Sequence, residues 1–368
     1  MILQFGAGNF LRGFADLFLE ELELAGKTPP GPIVVVQSTG HERAEALNRS
    51  GGRYHVAVQG FREGKIVDET LPVRSISRAL HAGTEWERVI EAARDPLLVA
   101  ILSNTTEAGF ELDEADHHPG PGAPASFPAK LLAVLLARHE AGMPGPWILP
   151  CELIEDNAAA LRERVLQQAL RWGTPANACE WIADSCRWVS SLVDRIVPGP
   201  PREHPLLGTD PLLLMVEPFA LWAVATRDPS FPFATHPAVV MTDDLAPVAL
   251  RKVRLLNGAH SALVARCAGT SILTVREALE DAETGSWLEA LLFTEIVPAL
   301  EGRCEDPAGY AREVLDRFRN PFLEHQLSSI ALNHPAKIAV RIEPTIREFR
   351  ERFGRPPEKL SSVSGMKL

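Results

Sequence analysis

The chain opens on a short apolar run, Ile2-Leu3-Gln4-Phe5, that leads directly into Gly6-Ala7-Gly8-Asn9-Phe10-Leu11-Arg12-Gly13. Residues 9–25 then carry Phe10, Leu11, Phe14, Leu17, Phe18 and Leu22 on one helical stripe, with Arg12, Asp16, Glu20 and Glu23 off it. A strand entering a helix through a glycine turn restricts the fold more than any other feature of this sequence. Glycines let the backbone approach a pyrophosphate, and the first helical turn offers it amides and a positive dipole end. The third glycine comes two positions later than in the usual G-x-G-x-x-G spacing. The pattern therefore suits dinucleotide binding or, alternatively, a tight βα turn alone.

The alternation continues. Ile33–Gln37 reads as a second strand, and Leu97–Ser103 as the continuous apolar run that a doubly covered parallel sheet needs. Residues 127–140 and 156–172 are helical in pattern and Trp147–Leu149 is a short strand, while Tyr54–Gln59 and Lys65–Ser75 look like an antiparallel insertion. This predicts an α/β fold with a doubly wound, Rossmann-type sheet domain over residues 1–200. Pro198-Gly199-Pro200-Pro201 marks a rigid loop, beyond which the patterns turn mainly helical, over 211–226, 245–268, 286–300, 307–318, 321–333 and 343–353. Residues 201–368 are thus expected to form a mainly α-helical substrate domain.

Composition removes several function classes. Lys plus Arg is 37 against 48 Asp plus Glu, a formal net charge of −11, which argues against nucleic-acid or anionic-membrane partners but leaves room for a local basic pocket. No run reaches the roughly 18 apolar residues of a membrane span. The N-terminus lacks a basic segment and a small-residue cleavage site. The five cysteines (151, 179, 186, 267 and 304) form no Cys-x-x-Cys pair and are odd in number, so free thiols in a reducing cytoplasm are expected rather than disulfides or zinc. His117-His118, in a Pro/Gly loop, reads as solvated.

Candidate site residues fall in three places. The second strand ends at Gln37, where an acidic residue would ordinarily hold the adenosine ribose. Gln37 can bond a ribose hydroxyl without repelling a 2′-phosphate, and His41 and Arg43 follow, so charge alone leaves NAD and NADP open. Ser103-Asn104-Thr105-Thr106-Glu107 and Cys151-Glu152-Leu153-Ile154-Glu155-Asp156-Asn157 both follow strands, at the edge where such sheets place ligands, although each also suits turns and caps. The third is Arg251-Lys252-Val253-Arg254-Leu255-Leu256-Asn257-Gly258-Ala259-His260. At about 100° per residue, Leu256, Ala259 and Leu263 lie within about 40° of Lys252, whereas Arg251 and Arg254 point away. Lys252 is then expected alone on the buried face, where desolvation lowers a lysine toward use as a base. Asn257 and His260 reach the same small volume. The same pattern also suits a snorkelling lysine beside a core-facing histidine.

In chain order, Gln4–Phe14, Ser103–Gly109, Ser126–Lys130 (SFPAK), Pro150–Ile154 with Asn157, Leu192–Pro198 (LVDRIVP), Val216–Trp222 (VEPFALW), Lys252–His260, Arg317–Pro321 (RFRNP) and Ser329–Arg341 together resemble a known family. It is the polyol-specific long-chain dehydrogenases, or mannitol dehydrogenase family, which includes the hexuronate reductases. The NTTEAG, CELI and SIALN forms are most similar to its tagaturonate-reducing members; mannitol dehydrogenases carry Cys-Asp-Asn where this chain has Cys151-Glu152-Leu153. The resemblance implies metal-free, reversible hydride transfer between NAD(H) and a sugar acid, altronate giving tagaturonate on oxidation. Fructuronate reduction and neutral-polyol oxidation are the alternatives, and a catalytically silent NAD-binding protein is the non-enzymatic one. It implies Lys252 as the proton acceptor and donor, Asn157 and Asn257 as amide donors to the reacting oxygen, and His260 as an orienting group. Gly6, Gly8, Asn9, Phe10, Arg12, Gln37, Asn104 and Thr105 would hold the cofactor, and Asp194, Lys337 and Arg341 the substrate. A cytoplasmic monomer or small homo-oligomer is expected. Two departures stand out: the glycine turn lies almost at Met1, and the chain ends soon after Gly354-Arg355-Pro356-Pro357 in a stretch, Ser361–Leu368, unlike the family. A shortened substrate domain is the expectation.

Overall fold

A computed structural model describes residues 1–105 and 107–365; Thr106 of the NTTEAG stretch and the last three residues lie outside the described residues. The chain divides into two compact units, Met1–Ala57 with Thr70–Val216 and Ala220–Asp243, and Val58–Glu69 with Glu217–Phe219 and Asp244–Leu368.

The first unit begins β1 (Ile2–Phe5), α1 (Asn9–Arg12), α2 (Ala15–Leu24), β2 (Ile33–Gln37) and α3 (Glu42–Arg49). The hairpin strands β3 (Tyr54–Arg62) and β4 (Lys65–Val73) follow, of which Val58–Glu69 is assigned to the second unit, then β5 (Ile76–His81), α4 (Trp86–Arg94) and β6 (Ala100–Ser103). Next come α5 (Phe127–Glu140), β7 (Trp147–Pro150), α6 (Asn157–Arg171), α7 (Ala176–Asp184) and β8 (Arg187–Trp188). The sheet runs β5-β2-β1-β6-β7-β8 with every neighbour parallel. This is the doubly wound, Rossmann-type order, which reverses direction between β1 and β6. β1, β2, β6 and β7 are buried along their whole length, because helices cover both faces, and that is why they read as unbroken apolar runs. Phe5 lies opposite Ser103, so the loops after β1 and β6 leave the sheet side by side at the reversal.

The helix expected over 211–226 is absent. In its place stand β10 (Leu214–Val216), paired with β3, and β11 (Leu221–Ala225), which lies between β9 (Ser191–Asp194) and β12 (Val239–Thr242). Both runs are apolar on every side, so periodicity could not separate a buried strand from a buried helix, and Pro218 interrupts any continuous helix. Trp222 is buried among Phe14, Phe18, Phe231 and Phe233, with ring centroids 4.9–6.3 Å away. The compact unit that opens the chain runs on past residue 200 to Asp243. Gly199 pairs with Met215 inside the first unit.

The second unit is helical. It contains α8 (Ala246–Arg251), a π-helical turn over Lys252–Asn257, α9 (Gly258–Cys267), α10 (Val275–Glu280) and α11 (Ala282–Leu291). A second π turn over Leu292–Ile296 leads to α12 (Val297–Leu300), α13 (Pro307–Phe318), α14 (Leu327–Ala331), α15 (His334–Arg341), α16 (Glu343–Phe353) and α17 (Glu358–Ser364). Leu255, Leu263, Leu288, Leu292, Val314, Ile342 and Leu360 share one core. The closing stretch belongs to it. Leu360 and Val363 of α17 are buried, and the Glu295 carboxylate accepts the Lys359 and Leu360 N–H groups at 2.9 Å each.

Candidate active site

At the sheet reversal, Gly6 has φ +128°, and a Cβ there would stand 3.2 Å from the Asn104 carbonyl oxygen. Glycine is required by both backbone geometry and space. Gly8 precedes α1 and is open, its nearest neighbour to an added Cβ being Arg43 Nη1 at 4.0 Å. The late third glycine has a different purpose: a Cβ on Gly13 would meet Val216 Cγ1 at 2.6 Å and Leu214 Cδ1 at 2.8 Å. It lets the helix pack on β10, so its displaced spacing leaves the turn itself intact.

Two residues expected at the cofactor do other work. Arg12 is buried, with Nη1 donating to Leu212 O at 2.6 Å and Nη2 to Asn9 Oδ1 at 2.7 Å, and its guanidinium lies 5.3 Å from the Tyr54 ring centre. It fastens α1, and engages the Asn9 side chain, from below. Gln37 is also buried: Nε2 donates to Thr39 O and Oε1 accepts from Ala44 N, both at 2.7 Å. Its amide is spent on the β2–α3 turn, as a buried amide must be. Near it lie His41 and His81, tilted at 33° with ring centroids 3.7 Å apart, and exposed Arg43. Phe10 stacks on Phe14 at 4.9 Å.

Beneath the turn, Gln4 Nε2 donates to Gly6 O at 3.1 Å and to Asp16 Oδ2 at 3.3 Å. Asp16 is fully buried, and burial pushes its carboxyl up to about 7. The folded state therefore holds a proton that the unfolded chain releases near pH 4, and the stability it contributes is fullest in acid and withdrawn as pH rises toward 7. At 1.36 kcal/mol per unit, this is on the order of 4 kcal/mol. Asp16→Asn mimics the protonated form. Relative to the native chain, its thermal midpoint should rise between pH 5 and pH 8, and parallel curves would show that Asp16 does not titrate there.

Glu152, buried just past β7, belongs to the stretch noted in the sequence but was given no role of its own there. Its carboxylate accepts Thr105 N at 2.8 Å, Thr105 Oγ1 at 3.1 Å and Ser103 Oγ at 3.1 Å, and burial raises its pKa. A carboxylate directly after an all-apolar strand was the available signal. Asn104 Nδ2 donates to Cys151 O at 2.8 Å, joining the same two strand ends. Asn157 departs from its expected role. It is 1% exposed, its Nδ2 lies 3.0–3.1 Å from the carbonyls of Pro150, Glu152 and Ser191, and its Oδ1 accepts Ser191 N at 3.0 Å. Both amide hydrogens are taken by backbone, so the side chain clamps β7 to β9 rather than facing a reacting oxygen. Asp194 is buried at the end of β9, opposite Leu221.

In the second unit, the helical wheel drawn through Lys252 fails for a physical reason. Gly258 N–H bonds to Val253 O, five residues back, so the segment is wound as a π turn. Lys252 is half-buried, and Arg254, expected to point outward, is buried with Nη1 on Thr345 Oγ1 at 3.0 Å and Nη2 on Glu348 at 3.3 Å. The i to i+5 winding turns Asn257 nearer to the direction of Lys252 than an α-helix would, since an α-helix sets them about 140° apart. His260 is buried against the Phe318 ring at 4.4 Å and His325 at 4.8 Å. α15 packs on α9 and on the π turn. Arg341 Nη1 donates to Ser261 Oγ at 3.2 Å and Lys337 Nζ to Ile330 O at 2.8 Å. Burial, then the neighbouring Arg341, holds Lys337 below the ordinary lysine value. Lys252, Asn257, His260, Lys337 and Arg341 are thus carried by contiguous elements.

Other motif stretches are structural. Ser126 caps α5 and Lys130 Nζ donates to Ala125 O at 2.6 Å. Arg317 grips Glu217 through two hydrogen bonds, and Asn320 Nδ2 donates to Gln59 O at 3.0 Å. Among the described residues, no group of three or more His, Cys, Asp or Glu has metal-binding geometry, and no helix is long and apolar enough to cross a membrane.

Residues 1–232 match the mannitol dehydrogenase Rossmann domain and residues 244–366 the mannitol dehydrogenase C-terminal domain. The chain belongs to the mannitol dehydrogenase family. The second match takes in α17, so the closing stretch, read from sequence as foreign to the family, is part of its C-terminal domain as far as residue 366. The chain is 39% identical to the altronate oxidoreductase of Bacillus subtilis and 36% identical to that of Yersinia enterocolitica, in each case over 98% of this chain and 77% of the relative. A D-sorbitol dehydrogenase crystal structure superposes with a TM-score of 0.80 at 25% identity, covering 95% of this chain and 76% of that one. The Pseudomonas fluorescens mannitol 2-dehydrogenase ternary complex with NAD and D-mannitol gives 0.76 at 24% identity, covering 98% and 77%. Membership of this family makes the chain an alcohol-oxidising, ketone-reducing enzyme.

Proposed function

We propose that this enzyme is an NAD-dependent oxidoreductase interconverting a hexuronate keto acid and its aldonate, tagaturonate and altronate. The observation that carries the reading is the joining, through α9 and α15, of the Lys252–Asn257 turn to a cationic face made by Lys337 and Arg341. The names of the bacterial relatives support the same substrate class. An acidic chain repels an acidic substrate at long range, so local cations are what a uronate requires.

The turn after β1 fits a dinucleotide. A side chain at Gly6 would crowd Asn104, Gly8 is open, and Arg43 stands over it as a cation for phosphate. NAD, when bound, supplies the hydride acceptor for a secondary alcohol or, reduced, the hydride for a ketone. Gly6, Gly8 and the backbone N–H groups of Asn9 and Phe10 hold the pyrophosphate. Asn104 and Thr105 line the sheet reversal, kept in place by Cys151 O and Glu152. Lys252 takes the substrate hydroxyl proton on oxidation and returns it on reduction. Asn257 donates an amide hydrogen bond to the oxygen as its charge develops. His260 orients the lysine or the substrate, and Asn157 acts indirectly by holding the turn that carries Glu152.

The test is an NADH-consumption screen over tagaturonate, fructuronate and fructose, repeated with NADPH. Tagaturonate with NADH should give the highest kcat/KM. Fructose reduced as well as the uronates would sink the sugar-acid reading, and a lower KM for NADPH the choice of NAD. A charge-assisted carboxylate contact is worth about 1.5–3 kcal/mol, so Lys337→Ala should lower kcat/KM for the uronate by about ten- to a hundredfold.

A further inference from the structure

We propose that His334 is a specificity-determining residue whose buried imidazole binds the α-hydroxycarboxylate end of the substrate, separating hexuronates from neutral ketoses. The inference rests on the sugar-acid reading above. His334 opens α15, is 4% exposed, and neither Nδ1 nor Nε2 has a hydrogen-bond partner among the described residues. Buried polar groups are ordinarily paired, so a ring unpaired at both nitrogens calls for a partner from outside the chain. His334, Lys337 and Arg341 stand at i, i+3 and i+7 of one helix and therefore share a face. Lys337 and Arg341 are the cations already assigned to the substrate.

The chemistry of the ring narrows the ligand. Burial, followed by the nearby Lys337 and Arg341 charges, disfavours the protonated form of His334. A neutral imidazole presents one N–H donor and one bare nitrogen acceptor. A simple anion can accept from the N–H but has nothing to donate to the bare nitrogen. A carboxylate with a hydroxyl on the next carbon supplies both: the carboxylate oxygen accepts from the ring N–H, and the hydroxyl donates to the other nitrogen. The same carboxylate is neutralised by Lys337 and Arg341. A neutral ketose carries a hydroxymethyl group there and leaves both cations without a counter-charge.

The experiment compares kcat/KM for tagaturonate and for fructose, with NADH, in the native enzyme and in H334A, H334F and H334Q. H334F keeps the ring volume without the nitrogens, and so separates hydrogen bonding from packing should H334A fail to fold. The uronate-to-fructose ratio should fall by about ten- to a hundredfold in H334A and H334F. The loss should lie mainly in the KM for the uronate, and H334Q, which retains a donor and an acceptor, should recover much of the ratio. An unchanged ratio in folded H334F would make His334 a packing residue and overturn the inference alone. A native enzyme without preference for uronates would overturn the sugar-acid reading and the inference with it.

Discussion

Lys252→Ala is expected to lower kcat by about 10²–10⁴-fold, the usual contribution of a positioned acid–base group, while leaving NADH affinity nearly intact. The separation follows from where the groups reside, since the residues proposed to hold the cofactor all belong to the first unit and Lys252 to the second. A π turn is an uncommon winding that costs hydrogen-bond geometry, and such turns recur at functional sites. Here it turns Asn257 nearer to the direction of Lys252 than an α-helix would, which suits the proposed division between a lysine that moves the proton and an amide that steadies the oxygen. Turnover of Lys252→Ala should recover in part with added small primary amines, which replace a missing base but cannot repair a misfolded core. Asn257→Ala should lose kcat without amine rescue and without a shift of its pH profile, since an amide does not titrate. NADH fluorescence titration and steady-state rates measure both effects. Near-full turnover by Lys252→Ala would reduce this lysine to a packing role.

The largest loss of stability is expected at Arg317. Its Nε and Nη2 meet the two Glu217 oxygens at 2.9 and 2.8 Å, with both side chains 2% exposed. The guanidinium also lies 4.4 Å from the Phe219 ring centre. Removing one partner of a buried pair strands the other charge away from water, at a cost of about 3–5 kcal/mol. For a unit of this size, Arg317→Ala should therefore lower the unfolding midpoint by on the order of 10–20 °C. Replacing both partners together with apolar residues, Arg317→Met with Glu217→Leu, leaves no stranded charge and should restore most of that loss. Calorimetry of the two singles and the double closes the cycle. A single variant unfolding within about 1 kcal/mol of the native chain would mean that water reaches the stranded group.

Much of the fold was legible because its physics is local. A strand buried on both faces is predominantly apolar, its few polar groups being paired as Gln4 and Gln37 are, so β1, β2, β6 and β7 were visible as runs. The glycine turn was visible because only glycine fits at Gly6. The helix stripes of α5, α6, α13 and α16 follow from one face meeting a core. The strands β10 and β11 were missed because a segment apolar on all sides carries no period.

Among site residues, the sequence by itself determined which chemical groups are present: Lys252, Asn257 and His260 close in the chain, Lys337 and Arg341 one turn apart, glycines at the first turn. Tertiary structure decided which of them face a ligand. Arg12, Gln37 and Asn157 have the right chemistry at the right places, but burial directs their polar atoms to partners within the protein: Arg12 to Leu212 O and Asn9 Oδ1, Gln37 to Thr39 O and Ala44 N, and Asn157 to four backbone groups. Glu152, named in the sequence only as part of the stretch after a strand, acquires its partners when two strand ends meet. The π winding turns Asn257 toward the direction of Lys252, because a change of one residue in hydrogen-bond spacing reorients every side chain beyond it. Such a change depends on how α9, α13, α15 and α16 meet the turn, and those contacts come from residues far away in the chain, as the Arg254–Thr345 hydrogen bond shows across its 91-residue separation.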